Sequence, residues 1–252
     1  MARRTLQSKP KLPYLTDSHI EEEAALLLAE FGNKHGQVLA PPIPIDDIVD
    51  VYLRLRIEMN DLQNLFGVGD VHGALWVNQR RVEVDMSLDP EVFPAMRGRY
   101  HFTLAHEAGH WRLHRRLFQR KANQLSLLPE GAERPEYVCR STDRNPIEIQ
   151  ANKFAAALLM PREMVKRAWH EQHGGMDPIY LDDLRAVHRQ IQSSQLFQRF
   201  GCKPDDDKVT DEELLADASR PLADIFEVSP DAMRIRLEGM QFLLRKKEPT
   251  LF

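Results

Sequence analysis

Apolar positions in the first part of the chain recur with the period of a helix. In the run EEEAALLLAEF they lie three and four residues apart, which predicts an amphipathic helix that ends near Gly32 or Gly36. Ser18 followed by Glu21 has the form of a capping box at its start. The prolines of APPIPIDD predict a stiff turn, which leads into a second, shorter helix around DDIVDVYLR.

Between about Leu55 and Met86 the apolar period changes to two. The segments LRIEM, GALWV and RVEVDM are short and rich in β-formers, and turn residues separate them. They predict a small antiparallel sheet. Helical spacing resumes near Arg97 and covers most of the remaining chain. The pattern therefore predicts an α+β fold that is mostly helical.

Composition narrows the class of protein. A net charge of -4 gives no general basic surface for nucleic acid. The two cysteines cannot form a disulfide framework and lack C-x-x-C spacing, which favours a reducing compartment. The start MARRTLQSKPKLPYLTD has no apolar segment of a signal peptide, and no apolar run reaches about 18 residues. We expect a soluble, cytoplasmic protein that does not enter a membrane.

The stretch LAHEAGHWRLH, residues 104–114, contains the candidate chemistry. His106 and His110 are four residues apart, so a helix presents both imidazoles to one point, where they can chelate one zinc ion. Glu107 projects about 100° around the helix from His106, beside the open position of the metal. There it can take a proton from a zinc-bound water. The alternative is an ordinary helix whose histidines are surface or core residues.

A catalytic zinc site needs a third protein ligand. His114 lies eight residues from His106, about 12 Å along the helix axis, so it is better suited to support or pack against the ligands. The metzincin pattern is excluded, because Leu113 and Arg116 stand where that class has glycine and histidine.

A glutamate on another helix is the better candidate for this ligand. The segment NPIEIQANKFAAALLMP predicts a helix capped by Asn145 and ended by Pro161. Glu148 lies at the edge of its apolar stripe, and Asn152 follows one turn later, where it could orient the carboxylate or a ligand histidine. Glu148 could instead fold back to cap its own helix.

Three segments, RGRYHFTLAHEAGHWRLH, VCRS and PIEIQANKFAAALLMPRE, resemble the ImmA/IrrE-type metallopeptidases, which are zinc enzymes of the bacterial cytoplasm. The resemblance covers roughly residues 18–244, with gaps. It implies a gluzincin-like domain with zinc ligands His106, His110 and Glu148, and Glu107 as general base. It also implies a protein substrate, a helix-turn-helix repressor that is cleaved or inactivated. The alternative is a non-catalytic regulator that binds a repressor or DNA through its C-terminal helices.

Three domains are predicted. Residues 1–16 form a flexible arm, 17–200 the zinc metallopeptidase domain and 201–252 a helical C-terminal segment. The polar stretch 121–144 is expected to be disordered or a working loop, and the acidic run 205–207 a solvated linker.

Within the C-terminal segment, residues 220–244 have a helix-turn-helix-like pattern. Ser229 can cap a helix that begins at Pro230, and Arg234, Arg236 and Arg245 line it. Glu227 stands in the turn, where a glycine is commoner. We therefore expect packing on the peptidase domain, with direct nucleic-acid binding unlikely.

Other residues could contribute to the site. Tyr100, His101 and Tyr137 are each able to donate a hydrogen bond to the oxyanion of a tetrahedral intermediate, and the sequence does not choose among them. Cys139 could meet the metal, but a structural cysteine is the favoured interpretation. No cofactor other than zinc is indicated.

Overall fold

The computed structural model describes residues 15–67, 69–117, 135, 137–140, 145–200 and 209–246. The chain divides into two compact units. The first comprises Met1–Leu39 and Ile43–Leu159, and the second comprises Ala40–Pro42 and Met160–Phe252. Most of the expected N-terminal arm and the whole acidic run 205–207 lie outside the described residues, and the domain boundaries given above stay a prediction. In the described ranges, no helix combines the length and the apolar character that crossing a membrane requires.

The first unit begins with α1, Asp17–His35. Its N-cap is Thr16, whose Oγ1 accepts the N–H of His19 at 3.2 Å, so the capping box expected at Ser18 is wrong. Asp17 then lies in the first turn, where an acidic side chain favours the helix N-terminus. Gly36 follows the helix with a φ of 104°, a conformation that glycine adopts without strain. After the proline turn, the predicted second helix forms as α2, Ile45–Asp47, and continues as a π-helical turn, Ile48–Tyr52.

A four-stranded sheet follows, and its strands lie in the order β1-β3-β2-β4. The strands are β1, Arg56–Asn60; β2, Val71–Trp76; β3, Arg81–Asp85; and β4, Tyr137–Arg140. The pairs β2–β3 and β2–β4 are antiparallel, but β1 pairs with β3 in parallel. The sheet is therefore mixed, which corrects the antiparallel prediction.

The parallel pair arises because β1 and β2 are not joined by a tight turn. A short helix, α3 (Leu62–Phe66), lies between them, and Asp85 at the end of β3 holds its first turn. Oδ2 of Asp85 accepts the N–H groups of Leu62 at 3.0 Å and Gln63 at 3.3 Å. The end of β1 is thereby fixed beside the end of β3, in the register Asn60↔Asp85. Strand β4 adds a second correction, since residues 137–140 were expected to be part of a loop; 118–134, 136 and 141–144 lie outside the described residues.

Two helices pack against each other next to this sheet. Helix α4, Arg97–Gly109, begins where the sequence predicted and passes into a π-helical turn, His110–His114. Helix α5, Pro146–Leu159, is capped as expected, because Oδ1 of Asn145 accepts the N–H of Ile147 at 2.9 Å.

Helices α4 and α5 approach each other closely at Gly109. A Cβ there would meet Phe154 Cδ1 at 3.1 Å and the backbone Cα of Ala151 at 3.3 Å. We expect Gly109→Ala to lower the free energy of unfolding by about 1–3 kcal/mol, because overpacking forces the helices apart. Gly239→Ala is the control, since nothing lies within 4 Å of its Cβ position. Equal denaturation midpoints for the two variants would show that α4 and α5 can separate without cost.

The π-helical turn is also tied to α1. Arg112 donates from Nη1 and Nη2 to the carboxylate of Glu30 at 2.8 and 2.9 Å, and from Nε to Glu23 at 2.7 Å. These hydrogen bonds lower the pKa of Glu30. A guanidinium that binds a carboxylate through two nitrogens does so in a defined geometry. The hydrogen bonds of Arg112 therefore fix the turn that carries His110 and His114.

In its described residues, the second unit is helical with one short parallel strand pair. Its elements are α6, Arg162–His173; β5, Ile179–Tyr180; α7, Leu181–Phe200; α8, Asp211–Phe226; α9, Pro230–Gly239; and β6, Leu243–Leu244. Strands β5 and β6 pair in parallel. In the core, Trp169 of α6 stacks on Phe242 with ring centroids 4.8 Å apart. The helices and the mixed sheet of the first unit are together consistent with the expected α+β class.

The helix-turn-helix-like pattern corresponds to α8 and α9. Ser229 caps α9 as predicted, accepting the N–H of Ala232 at 3.1 Å. Glu227 ends α8 with a φ of 49°, the left-handed conformation that explains why a glycine is commoner there. The packing of this helix-turn-helix-like segment on the peptidase domain stays a prediction.

The arginines of this segment are paired within the second unit. Arg234 Nη1 donates to Glu238 at 2.9 Å, and Arg245 Nε donates to the same carboxylate at 2.9 Å. Arg236 Nε donates to the carbonyl oxygen of Met160 at 3.0 Å.

Candidate metal centre

The H-E-x-x-H residues are all buried at the junction of α4 and the π-helical turn. The exposed fraction is 1% for His106 and 0% for Glu107, His110 and His114. Strand β2 lies directly against this junction. A Cβ at Gly73 would be 2.8 Å from Glu107 Oε1, so only a glycine lets the strand come this close.

Two imidazoles and one carboxylate converge from α4 and α5. His106 Nε2 lies 3.0 Å from Glu148 Oε2 and 2.9 Å from His110 Nε2. His110 Nε2 lies 3.4 Å from Glu148 Oε1. Ligands at 2.0–2.1 Å from zinc in tetrahedral geometry are roughly 3.3 Å apart. The donor types and their spacing therefore fit a single small divalent cation.

Hydrogen bonds on the far side of each ring fix its orientation. His106 Nδ1 donates to Asn152 Oδ1 at 2.9 Å, because an amide oxygen can only accept. By the same logic His114 Nε2 donates to Gln150 Oε1 at 2.9 Å, which leaves its Nδ1 to accept from His110 Nδ1 at 3.1 Å. Both Nε2 atoms of the motif are thus directed to the carboxylate. Partners of this kind orient ligand histidines in metal sites.

The charge balance of the group also suits a cation. Burial alone would lower the pKa of His106, but Cys139, Glu148 and Glu107 together raise it well above its usual value. Burial would raise the pKa of Glu148, yet its two histidine partners lower it to about 2. Burial and the charge of His106 lower the pKa of His110 to about 3. Metal ligation requires an ionised carboxylate and neutral imidazoles, so a cation bound here would take the place of the proton on His106.

Glu107 is the unsatisfied member of the site. Within the described part of the chain, both of its carboxylate oxygens are buried and have no hydrogen-bond partner. Burial, aided by the charge of Glu148, raises its pKa to about 8, although His106 opposes that shift. An unpaired buried carboxylate is costly, so its presence points to a partner that comes with a bound group.

Strand β4 brings a further residue to the site. Sγ of Cys139 and the ligand atoms of His106 and Glu148 all lie within 4.8 Å of one another. A structural cysteine was the favoured interpretation of Cys139, and its position at the site was not expected because strand β4 was not predicted. The one signal available was VCRS, which the resemblance already contained.

Two of the three possible oxyanion donors lie against the same carboxylate, Asp46 of α2. Tyr100 donates its hydroxyl to Asp46 Oδ1 at 2.6 Å, and burial raises the pKa of that hydroxyl. His101 Nε2 lies 4.0 Å from the other oxygen of Asp46. The side chain of Tyr137 lies outside the described residues. Both placed donors are therefore directed to α2, and their catalytic role stays a prediction.

Gln150 is a candidate supporting residue that sequence analysis missed. We expect Gln150→Leu to weaken metal affinity by about 10–100-fold, the range typical of residues that orient ligands. The reason is that His114 loses its acceptor and no longer fixes the tautomer of His110. Gln150→Glu keeps an acceptor and should restore most of the affinity. Metal competition with a chromophoric chelator measures the affinity of each variant. Equal affinities in the wild type and Gln150→Leu would show that the chain of hydrogen bonds from Gln150 through His114 to His110 does not support metal binding.

No curated protein matches the chain. Residues 95–201 match the family described as IrrE N-terminal-like domain, Peptidase_M78. The matched segment contains α4, β4 and α5, and with them every residue of the converging group. The match confirms the resemblance noted from the motifs: residues 95–201 are similar to the IrrE-type peptidase family.

Proposed function

We propose that this protein is a zinc-dependent endopeptidase that cleaves or inactivates a helix-turn-helix transcriptional repressor. One observation carries the peptidase proposal. Nε2 of His106, Nε2 of His110 and the carboxylate of Glu148 converge within 3.4 Å of one another, beside a buried and unpaired Glu107. The similarity of residues 95–201 to a metallopeptidase family supports the same chemistry.

His106, His110 and Glu148 would hold the metal. When bound, zinc acidifies a water molecule and polarises the scissile carbonyl. Glu107 acts as the general base that takes the proton from the attacking water. Its pKa of about 8 in the described structure is lowered by any nearby cation, which brings the carboxylate into the range of a base near neutral pH. Glu107 then returns the proton to the leaving amine.

The proposal also names the substrate, a helix-turn-helix repressor. It rests on what the family resemblance implies and on charge. DNA-binding domains are basic and this chain has a net charge of -4, so the overall charges favour association. The ion pairs of Arg234 and Arg245 support the expectation that the C-terminal helices do not read DNA themselves.

The test is incubation of the purified, zinc-loaded protein with the helix-turn-helix regulators encoded next to it. We expect one regulator to be cleaved, or to lose operator binding, with zinc present but not with a chelator. Zinc added back in excess should restore the effect. If the regulator loses its activity to the same extent with and without chelator, the peptidase proposal is contradicted and a binding protein is favoured.

A further inference from the structure

The thiol of Cys139 and the carboxylate of Glu107 lie on the same side of the sheet. Cys139 is directly opposite Gly73 in the antiparallel pair of β4 and β2. Residues opposite each other in such a pair project to the same face. The face of Gly73 is the one against Glu107, since a Cβ at Gly73 would be 2.8 Å from Oε1.

The thiol is also within reach of the converging ligands. Its Sγ and one ligand atom each from His106 and Glu148 lie within 4.8 Å of one another. A sulfur at 2.3 Å and a nitrogen at 2.0–2.1 Å from a tetrahedral zinc are roughly 3.6 Å apart. His110 is not part of this group, so the thiol must move toward Nε2 of His110 to complete such a geometry. Thiolate is, moreover, a ligand that zinc binds strongly.

We propose that Cys139 is a fourth protein ligand, which completes the site with two imidazoles and a carboxylate and holds the peptidase in a closed, latent form. The inference rests on the proposed function. Catalytic zinc sites have three protein ligands and an open position, whereas sites with four are closed. Glu107 is buried and unpaired on the same side of the sheet as Cys139. Glu107 can therefore act on a water only after Cys139 has moved away.

The experiment is X-ray absorption at the zinc edge of the full-length, zinc-loaded protein. We expect one sulfur at about 2.3 Å in addition to nitrogen and oxygen at about 2.0–2.2 Å. Cys139→Ser should lose the sulfur and keep the other ligands. Cys202→Ser, which removes the only other cysteine of the sequence, should keep it. Zinc content per chain and the thermal unfolding of each variant accompany the spectra.

Each outcome has a distinct meaning. Zinc bound by nitrogen and oxygen alone in the wild type overturns the role of Cys139 and leaves the proposed peptidase site standing. Failure of the wild type to retain zinc overturns both. If the sulfur is present, Cys139→Ser should also cleave the regulator faster than Cys202→Ser does; equal or slower cleavage with full zinc overturns the latent state.

Discussion

Glu107→Gln is expected to keep its zinc and to lose peptide hydrolysis by a factor of roughly 10²–10⁴, the usual contribution of a general base. The substitution keeps the size of the side chain but removes its ability to take a proton. It removes no ligand, since the converging atoms belong to His106, His110 and Glu148. Cleavage rates at saturating substrate and zinc content per chain measure the two effects separately.

The control for this variant is Glu163→Gln, which changes a glutamate whose side chain is 80% exposed on α6. Its rate should equal that of the wild type. We also expect metal-free Glu107→Gln to be at least as stable as the metal-free wild type, because the amide relieves an unpaired buried carboxylate. A cleavage rate for Glu107→Gln equal to that of the wild type, with the same zinc content, would refute the assignment of the base.

Glu148→Ala is expected to weaken zinc affinity by more than about 100-fold, beyond the range typical of residues that only orient ligands. Alanine removes the single carboxylate that lies between the two imidazoles, at 3.0 Å from His106 and 3.4 Å from His110. It also removes the negative charge that favours a cation there. Equilibrium dialysis followed by metal analysis measures the loss.

Ile149→Ala is the matched control, because Ile149 is the next residue on the same helix and is 44% exposed. It should retain full zinc occupancy. If Glu148→Ala also retains full occupancy after dialysis, the carboxylate is not a ligand, and the alternative role as a cap of α5 becomes the better explanation.

The local parts of this site could be predicted from the sequence. A helix fixes the relative direction of residues one, three and four positions apart, so the placement of His106, Glu107 and His110 follows from spacing alone. The helix that carries Glu148 was predictable for a similar reason, because Asn145 and Pro161 mark its ends.

The convergence itself could not be derived from local rules. His106 and Glu148 are 42 residues apart, and their 3.0 Å contact depends on the close packing of α4 on α5 at Gly109. Nothing local distinguishes that glycine from one on the surface. The resemblance to a family supplied the pairing that spacing could not.

The strand order of the sheet and the role of Gln150 could not be predicted from local sequence patterns either. Alternating apolar positions identified β1, β2 and β3 but not their order, because the parallel pairing of β1 depends on the hold of Asp85 on α3. Gln150 is of a residue type that is mostly exposed in proteins, yet it is only 6% exposed and binds His114. Its role is visible only once α5 is placed against the π-helical turn.

The most direct test of the converging site is a crystal structure of the zinc-loaded protein with anomalous data at the zinc edge. We predict one strong peak within about 2.0–2.2 Å of Nε2 of His106, Nε2 of His110 and a carboxylate oxygen of Glu148. A zinc ion bound elsewhere, or a Glu148 side chain directed away from both rings while zinc is bound, would contradict this prediction.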